Sequence, residues 1–134
     1  MDKPRLLVTS VTIGTSKPHE LARFYAQLLG REVGSLDPPG LDEPANGGWA
    51  QVRANAGEVG PTLNFEFERC FQRPVWPAVQ GEQTASQHLD ILVDDLPAAV
   101  EWAVECGARP AEFQPQETVR VMIDPDGHPF CLFL

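Results

Sequence analysis

The segment 88–93, with the sequence HLDILV, carries the side chains with the clearest chemical potential. Its alternation predicts a strand in which Leu89 and Ile91 face one side and His88 and Asp90 face the other. An imidazole beside a carboxylate can transfer protons, and the carboxylate can orient the ring or favour its charged form. The alternative is structural, with a hydrogen-bonded histidine at the start of a strand and an aspartate paired with an arginine.

Three further strand segments place polar or thiol side chains on the corresponding face. The side chains expected to point to similar places at four strand ends are Ser10, Asn64, His88 and Cys131. Glu66 faces the same side as Asn64 and can act as a base together with His88 or as a metal ligand in place of a neighbouring position, or remain a surface glutamate. Cys131 lies between two apolar residues and can equally be a small buried side chain.

Two tryptophans and two further histidines lie outside these strands. Trp49 follows a glycine-rich loop and Trp76 lies among prolines, so their rings can line a pocket for a flat ligand or fill the core. His19 is predicted in the first turn of a helix and His128 in a hairpin turn. Solvent exposure explains both of these histidines without a functional role.

An internal repeat organises the elements that position these residues. The segment 10–30 parallels 88–107, and 60–65 parallels 127–132. The offset between the two copies is larger for the first pair of segments than for the second, so the first copy contains an insertion between its two segments. The insertion is expected in the loop-like segment 34–48. Each copy predicts a strand, a helix and two strands, with room for an extra strand in the loop-rich stretch.

Turn and capping residues mark the ends of these elements. The first helix has Pro18 in its first turn, Ser16 as a plausible cap and Gly30 as its end. The second helix is predicted over 96–105, with Asp94 or Asp95 as its cap. The remaining strands are predicted near 49–54, 62–68, 119–123 and 130–133. The last two are joined by DPDG at 124–127, which is typical of a turn rather than a calcium loop.

Composition limits the possible partners. The 134 residues, 43% apolar and 22% charged, indicate one compact domain that needs no disulfide or structural metal. A net charge of -9 disfavours nucleic acid and anionic membranes as partners. The sequence contains no signal-like or membrane-spanning apolar run, and its three cysteines form no CxxC pair. A cytoplasmic location is therefore expected.

Three motifs in this order resemble the vicinal oxygen chelate superfamily, which includes glyoxalase I, bleomycin resistance proteins and extradiol dioxygenases. They are FYAQLLG at 24–30, HLDILVDDL at 88–96 and DPDGHPF at 124–130. The resemblance implies an α+β fold in which two βαβββ modules form curved mixed sheets around a cavity. The modules would span about 5–70 and 85–134 of one domain, 1–134. It also implies a homodimer.

In metal-dependent members of this superfamily, the first and last strands of each module supply the metal ligands, usually His, Gln or Glu. The matching positions here are Ser10, Asn64, His88 and Cys131. Of these, His88 alone is a standard ligand of the family, and Cys131 stands where a glutamate is expected. We therefore expect no family-type metal cofactor. The alternative is a divalent ion (Zn, Ni, Mn or Fe) held by His88 and Cys131.

The resemblance and the incomplete ligand set together favour a protein that binds a small organic molecule in its cavity. The residues expected to contact the ligand are Ser10, Trp49, Asn64, Trp76, His88, Asp90 and Cys131. A lyase, isomerase or dioxygenase of the superfamily kind is the alternative, either metal-dependent or using His88 with Asp90 or Glu66 for acid and base chemistry. Whether the protein is an enzyme is left open by the sequence.

Overall fold

A computed structural model describes residues 1–134, which form two sheets with one helix on each. The elements in chain order are β1 (Ser10–Thr15), α1 (Pro18–Leu29), β2 (Val33–Asp37), β3 (Trp49–Val52), β4 (Thr62–Phe67), β5 (Leu89–Leu92), α2 (Leu96–Cys106), β6 (Arg109–Pro110), β7 (Val119–Ile123) and β8 (Pro129–Phe133). This is the predicted α+β fold.

The two sheets have the same topology, as the repeat predicts. Sheet 1 has the strand order β1-β4-β3-β2 and sheet 2 the order β5-β8-β7-β6. In each sheet the first and last strands of the module pair in parallel, and the other neighbours are antiparallel. The extra strands are β2 and β6. Because β2 uses the start of the predicted insertion, the surface loop begins only after Asp37.

The helix ends confirm some of the capping predictions. Gly30 adopts the left-handed conformation, with φ 66°, just after α1, and the Asp95 carboxylate accepts a hydrogen bond from the Ala98 backbone at the start of α2. The prediction that Ser16 caps α1 is wrong. Lys17 precedes the helix without a side-chain cap, and the Ser16 hydroxyl bonds to Asp126 of the other module instead.

One apolar core joins the two modules. Its fifteen buried residues come from both helices and both sheets. The Tyr25 ring stacks on Phe65 of its own module, with centroids 5.6 Å apart, and packs edge-on against Phe130 of the other at 6.0 Å. Phe24 also contacts Phe130, at 6.1 Å. Because these rings fill one interior, neither module buries its apolar face without the other.

The turn 124–127 has the predicted turn geometry, with Gly127 at φ 98°. It also binds the first module through the Asp126 carboxylate. This buried carboxylate accepts hydrogen bonds from the Thr15 hydroxyl, from the Ser16 backbone amide at 2.8 Å and from the Ser16 hydroxyl at 3.0 Å. The turn therefore fastens the end of β1 to sheet 2.

The Asp124 carboxylate, also buried, forms the second half of this attachment. It accepts a hydrogen bond from the Tyr25 hydroxyl at 2.8 Å and lies 2.8 Å from Nδ1 of His128. Burial, together with the charge and hydrogen bond of Asp124, raises the pKa of Tyr25 well above its usual value. Tyr25 thus stays a protonated donor.

The expectation that His128 is simply solvent-exposed is wrong. Its side chain is 18% exposed, and its Nε2 lies 2.8 Å from the Gly14 carbonyl while Nδ1 faces Asp124. Only the imidazolium donates at both nitrogens. Burial by itself would lower the pKa of His128, but the hydrogen bonds and the negative charges of Asp124 and Asp126 outweigh it and raise that pKa.

The same expectation is wrong for His19. Its side chain is half-buried in the structure, and its Nε2 lies 2.6 Å from the Asp37 carbonyl oxygen, at the end of β2. His19 therefore ties the start of α1 to the beginning of the loop that follows β2.

Replacing Asp126 by Ala is expected to lower the free energy of unfolding by about 3 kcal/mol, because the buried Thr15 hydroxyl and the partly buried donors of Ser16 lose their acceptor. The measurement is urea denaturation. Asp94→Ala removes an exposed aspartate from the connection between β5 and α2 and serves as the matched control. Its expected change in the free energy of unfolding is near zero. Equal losses in both variants would contradict the attachment described here.

The raised pKa of His128 predicts a pH-dependent stability. A group with a raised folded-state pKa stabilises fully below its unfolded value of about 6.5 and loses that contribution as pH rises through the folded value. The difference in unfolding free energy between the native protein and His128→Gln should therefore shrink as the pH rises above about 6.5. A difference that stays constant over this range would show that the His128 ring is not charged.

Candidate functional site

A cleft of about 840 Å3 lies between the two sheets. Its walls are residues 11–14 of β1 and residues 87–90 at the start of β5. Both strands pair on one side only, β1 with β4 and β5 with β8, so each leaves an edge without a strand partner. The apolar part of the lining consists of Val11, Ile13, Tyr25, Phe71, Pro74, Ala85, Leu89 and Pro129.

The linker, residues 68–88 between β4 and β5, forms the remaining wall. It is attached to sheet 2 at three points. The Phe71 ring packs on His128 at 5.4 Å, the Arg73 guanidinium donates to the Pro125 carbonyl at 3.3 Å, and Trp76 packs on the outer face of β7 and β8. These contacts hold the middle of the linker against sheet 2, while its first residue, Glu68, donates its backbone N–H to the Thr15 carbonyl of β1 at 2.9 Å.

His88, Asp90 and Cys131 form a cluster, as their shared strand face predicts, and its members His88 and Asp90 line the cleft. His88 Nε2 lies 3.3 Å from Asp90 Oδ1. Asp90 and Cys131 are register partners on the parallel strands β5 and β8, so their side chains emerge side by side. The ligand atoms of all three residues lie within 4.8 Å of one another.

The Cys131 side chain is a thiol rather than a thiolate at neutral pH. Partial burial, and then the negative charge of Asp90 and a hydrogen bond to it, raise the pKa of Cys131. Cys131 and Trp76 both pack against the small buried cluster that contains Val121 and Ile123. A protonated, partly covered thiol is a poor nucleophile, so the arrangement does not activate Cys131 for covalent chemistry.

The corresponding face of sheet 1 carries a row of hydrogen-bonded polar side chains. Gln51 donates its amide to the Asn64 oxygen at 2.9 Å and accepts from the Arg53 guanidinium at 2.8 Å. The Asn64 amide in turn lies 3.5 Å from the Thr12 hydroxyl. Both ends of the Asn64 side chain are therefore engaged within the sheet.

The predicted site residues fall into two groups. Sheet 1 carries Ser10, Trp49, Asn64 and Glu66, whereas Trp76, His88, Asp90 and Cys131 belong to sheet 2 and the linker packed on it. Of the eight, His88 and Asp90 line the cleft. Trp49 and Glu66 face each other in the β3–β4 register, away from the cleft lining.

The residues at the four family positions do not fit a hard octahedral ion. They comprise a hydroxyl (Ser10), an amide already hydrogen-bonded (Asn64), an imidazole (His88) and a protonated thiol (Cys131), with no carboxylate among them. The structure brings the last two together, and it adds Asp90 beside them.

Sequence reasoning missed Glu68, Phe71 and His128 as cleft residues. Glu68 and Phe71 belong to the linker, whose sequence has no period that predicts which way its side chains point. His128 is held by the Gly14 carbonyl, a partner 114 residues away along the chain. No local signal identifies such a contact.

A family model described as a glyoxalase-like domain matches residues 10–133. No curated protein matches the chain at the level of sequence. No helix has the length and apolar character needed to cross a membrane.

Solved structures with the same fold include a glyoxalase family protein from Enterococcus faecalis (TM-score 0.66, 20% identity, covering 96% of this chain and 97% of that one). The antibiotic-binding protein TnmS3 from Streptomyces sp. CB03234 has a TM-score of 0.58 at 19% identity, covering 98% of both chains. The fosfomycin resistance protein FosX from Mesorhizobium loti has a TM-score of 0.63 at 11% identity, covering 94% and 89%. At these identities the likeness concerns the fold.

Because Trp76 and Cys131 pack against the same small buried cluster, removing the Trp76 ring should increase the exposure of the Cys131 thiol. In a Cys70→Ser, Cys106→Ser background, where Cys131 is the one remaining thiol, Trp76→Ala is expected to raise the rate of reaction with Ellman's reagent several-fold, because access increases. Trp76→Phe keeps an aromatic cover and should leave the rate near its original value. Equal rates in all three proteins would mean that Trp76 does not shield the thiol.

Proposed function

Because this chain belongs to the glyoxalase-like domain family of the vicinal oxygen chelate superfamily, we propose that it binds a small organic cation in the cleft between its two sheets. The observation that supports this proposal is the charge of the residues that line the cleft. Glu68 and Asp90 contribute carboxylates to the cleft, and none of its lining residues is a lysine or an arginine.

The size of the cleft supports a ligand of drug-like dimensions. Its volume of about 840 Å3 lies in the range of sites that enclose such molecules. The walls formed by β1 and β5 contribute the apolar side chains of Val11, Ile13 and Leu89, and Phe71 of the linker also lines the cleft. Apolar walls with a few polar groups suit a molecule that is mostly hydrocarbon or aromatic and carries one charged group.

Electrostatics favour a positive charge on that group. The imidazolium of His128 lies at the cleft, but Asp124 and Asp126 of the same turn balance it. The carboxylates of Glu68 and Asp90 add to the field of a chain whose net charge is -9. A concave site lined by one sign of charge concentrates ligands of the opposite sign.

The named neighbours are compatible with binding as the main activity. TnmS3 is an antibiotic-binding protein and FosX is a fosfomycin resistance protein. Binding a molecule without transforming it requires only the cleft and its polar groups. It does not require the set of ligands for a hard metal ion that this chain lacks.

Acid–base catalysis without a metal is a second candidate function, favoured by the 3.3 Å contact between His88 and Asp90 at the cleft. Asp90 rather than Glu66 would be the carboxylate partner, since Glu66 does not line the cleft. In a lyase or isomerase reaction the pair would move a proton of the bound molecule. Mass spectrometry of the molecule after incubation separates this function from binding alone.

A matched pair of planar probes tests the proposed cation preference. Aminoacridine, a cation, is expected to bind with a Kd at least about tenfold lower than that of anthracene carboxylate, an anion, and to weaken as salt is added. Glu68→Gln and Asp90→Asn should each raise the Kd of aminoacridine by about threefold or more. The measurement is fluorescence titration.

Glu101→Gln, on the exposed side of α2, removes the same charge away from the cleft and serves as the control. It should leave the Kd of aminoacridine unchanged. Equal affinity for the two probes, or equal effects of all three substitutions, would overturn the proposal.

A further inference from the structure

Residues 1–8, here called the arm, precede β1 and belong to no helix or strand. Three consecutive apolar residues of the arm lie in solvent, since Leu6, Leu7 and Val8 are 74%, 61% and 92% exposed. Contiguous exposed apolar surface commonly marks an interaction site. Lys3 and Arg5 lie beside this run in a chain whose net charge is -9. The arm therefore has the composition of a segment that binds an acidic, partly apolar surface.

The β1 side of the cleft is a strand edge with free backbone groups. The carbonyls of Thr9 and Thr15 accept hydrogen bonds at 3.2 and 2.9 Å from amides at the start of β4 and just after its end. In a parallel pair the groups of alternate residues point to the same neighbour, so the odd-numbered residues of β1 face β4. The N–H and C=O groups of Ser10 and Thr12 consequently point away from β4, to the unpaired edge.

The β5 side of the cleft has the same property. The Val93 amide donates to the Phe133 carbonyl of β8 at 2.8 Å, so the backbone groups of His88 and Asp90 point to the unpaired edge. No Cα atom of β1 lies within 8 Å of a Cα atom of β5, whereas hydrogen-bonded strands are about 4.8 Å apart. The two edges therefore do not pair with each other, and an extended segment between them would bond to both.

We propose that the arm of one copy of this chain binds as an added strand between β1 and β5 of a second copy. The inference rests on the proposed function in one respect, because it places positive charge beside the same cleft carboxylates. It goes beyond that function because the occupant is a segment of the protein itself. It also goes beyond the homodimer implied by the superfamily, because it assigns a segment of one copy to the cleft of the other.

The two faces of an extended arm match the two kinds of side chain in the cleft. Strand alternation places Leu6 and Val8 on one face, and on the other Lys3, Arg5 and Leu7. The first face suits the apolar side chains that β1 and β5 contribute to the cleft walls. The second brings basic groups to the carboxylates of Glu68 and Asp90. Main-chain bonds to an open edge supply affinity, and such side-chain matches supply specificity.

The arm is not placed to occupy the cleft of its own chain. It runs directly into β1, and Thr9 already belongs to the β1–β4 ladder through its bond from Thr62. To lie beside its own β1, the arm would need a tight turn at Val8 and Thr9. Neither residue is the glycine, asparagine or aspartate that a two-residue hairpin favours. A second copy is therefore the partner, and Pro4, which has no backbone N–H, marks the outer end of the added strand.

A peptide tests whether the arm sequence binds. Fluorescein-labelled DKPRLLVT, residues 2–9, is titrated with the full chain at low salt and followed by fluorescence anisotropy. The expected result is saturable binding at one peptide per chain, which aminoacridine reverses. The matched control carries N-methyl groups on the backbone nitrogens of Leu6 and Leu7. It keeps every side chain and charge but loses two donors, and it should bind at least about tenfold more weakly.

Cross-linking tests the arm within the intact chain. One protein carries Leu7→Cys and serine at all three native cysteine positions, and its partner keeps Cys70, which lines the cleft, as its one thiol. Mixed in equal amounts with a short bismaleimide, they should form a covalent heterodimer, identified by mass, whose yield falls when aminoacridine is added. A partner that keeps Cys106 instead, at the end of α2 and outside the cleft lining, is the control and should give little heterodimer.

The outcomes separate this proposal from the organic cation. Failure of the peptide to bind, undiminished binding of its N-methylated form, or equal cross-linking to the two partners would overturn the added strand. Any of these results together with normal aminoacridine binding would keep the organic cation. Binding of the peptide without binding of aminoacridine would keep the arm as the occupant and reject the organic cation.

Discussion

The attachment of the turn 124–127 to the first module is the interaction on which the other features depend. The Asp126 carboxylate accepts hydrogen bonds from Thr15 and Ser16, and the Asp124 carboxylate accepts them from Tyr25 and the His128 imidazolium. These groups lie in or beside the shared core, and no buried side-chain nitrogen or oxygen lacks a hydrogen-bond partner. A buried carboxylate is costly unless every lone pair is used, so the bonds specify one arrangement of the two modules. The cleft is the gap that this arrangement leaves between β1 and β5.

The two sheets have diverged although they share a topology. The open face of sheet 1 is occupied by its own row of hydrogen bonds from Arg53 to Thr12. The same face of sheet 2 holds the His88 cluster and is partly covered by Trp76 of the linker. His88 and Asp90 of the second module line the cleft, whereas Gln51 and Asn64 of sheet 1 do not. The imidazole–carboxylate pair of the cleft therefore belongs to the second module.

Much of the fold follows from local sequence, because periodicity and turn residues act over a few positions. The alternation in segment 88–93 correctly separates Leu89 and Ile91, packed on the core, from His88 and Asp90. Hydrogen bonds between residues far apart in the sequence cannot be predicted from such local patterns. Ser16 bonds to Asp126 instead of capping its helix, and His128 reaches Gly14, since partners more than a hundred residues apart leave no local pattern. Alternation also predicts the strand face on which a side chain lies, but not its distance from another sheet. It therefore predicted, from their faces alone, that Asn64 and His88 point to similar places. The homodimer implied by the superfamily stays a prediction.

The linker has a consequence for how such proteins diversify. It connects two copies of one module, and it also forms a wall of the cleft while resting on sheet 2 through Phe71, Arg73 and Trp76. Most of its residues are exposed and lie outside the main core. Substitutions there can reshape the ligand wall at little cost to folding, whereas the duplicated modules are constrained by the interior they share. Selection for a new ligand can thus act on the segment that joins the two copies of the module.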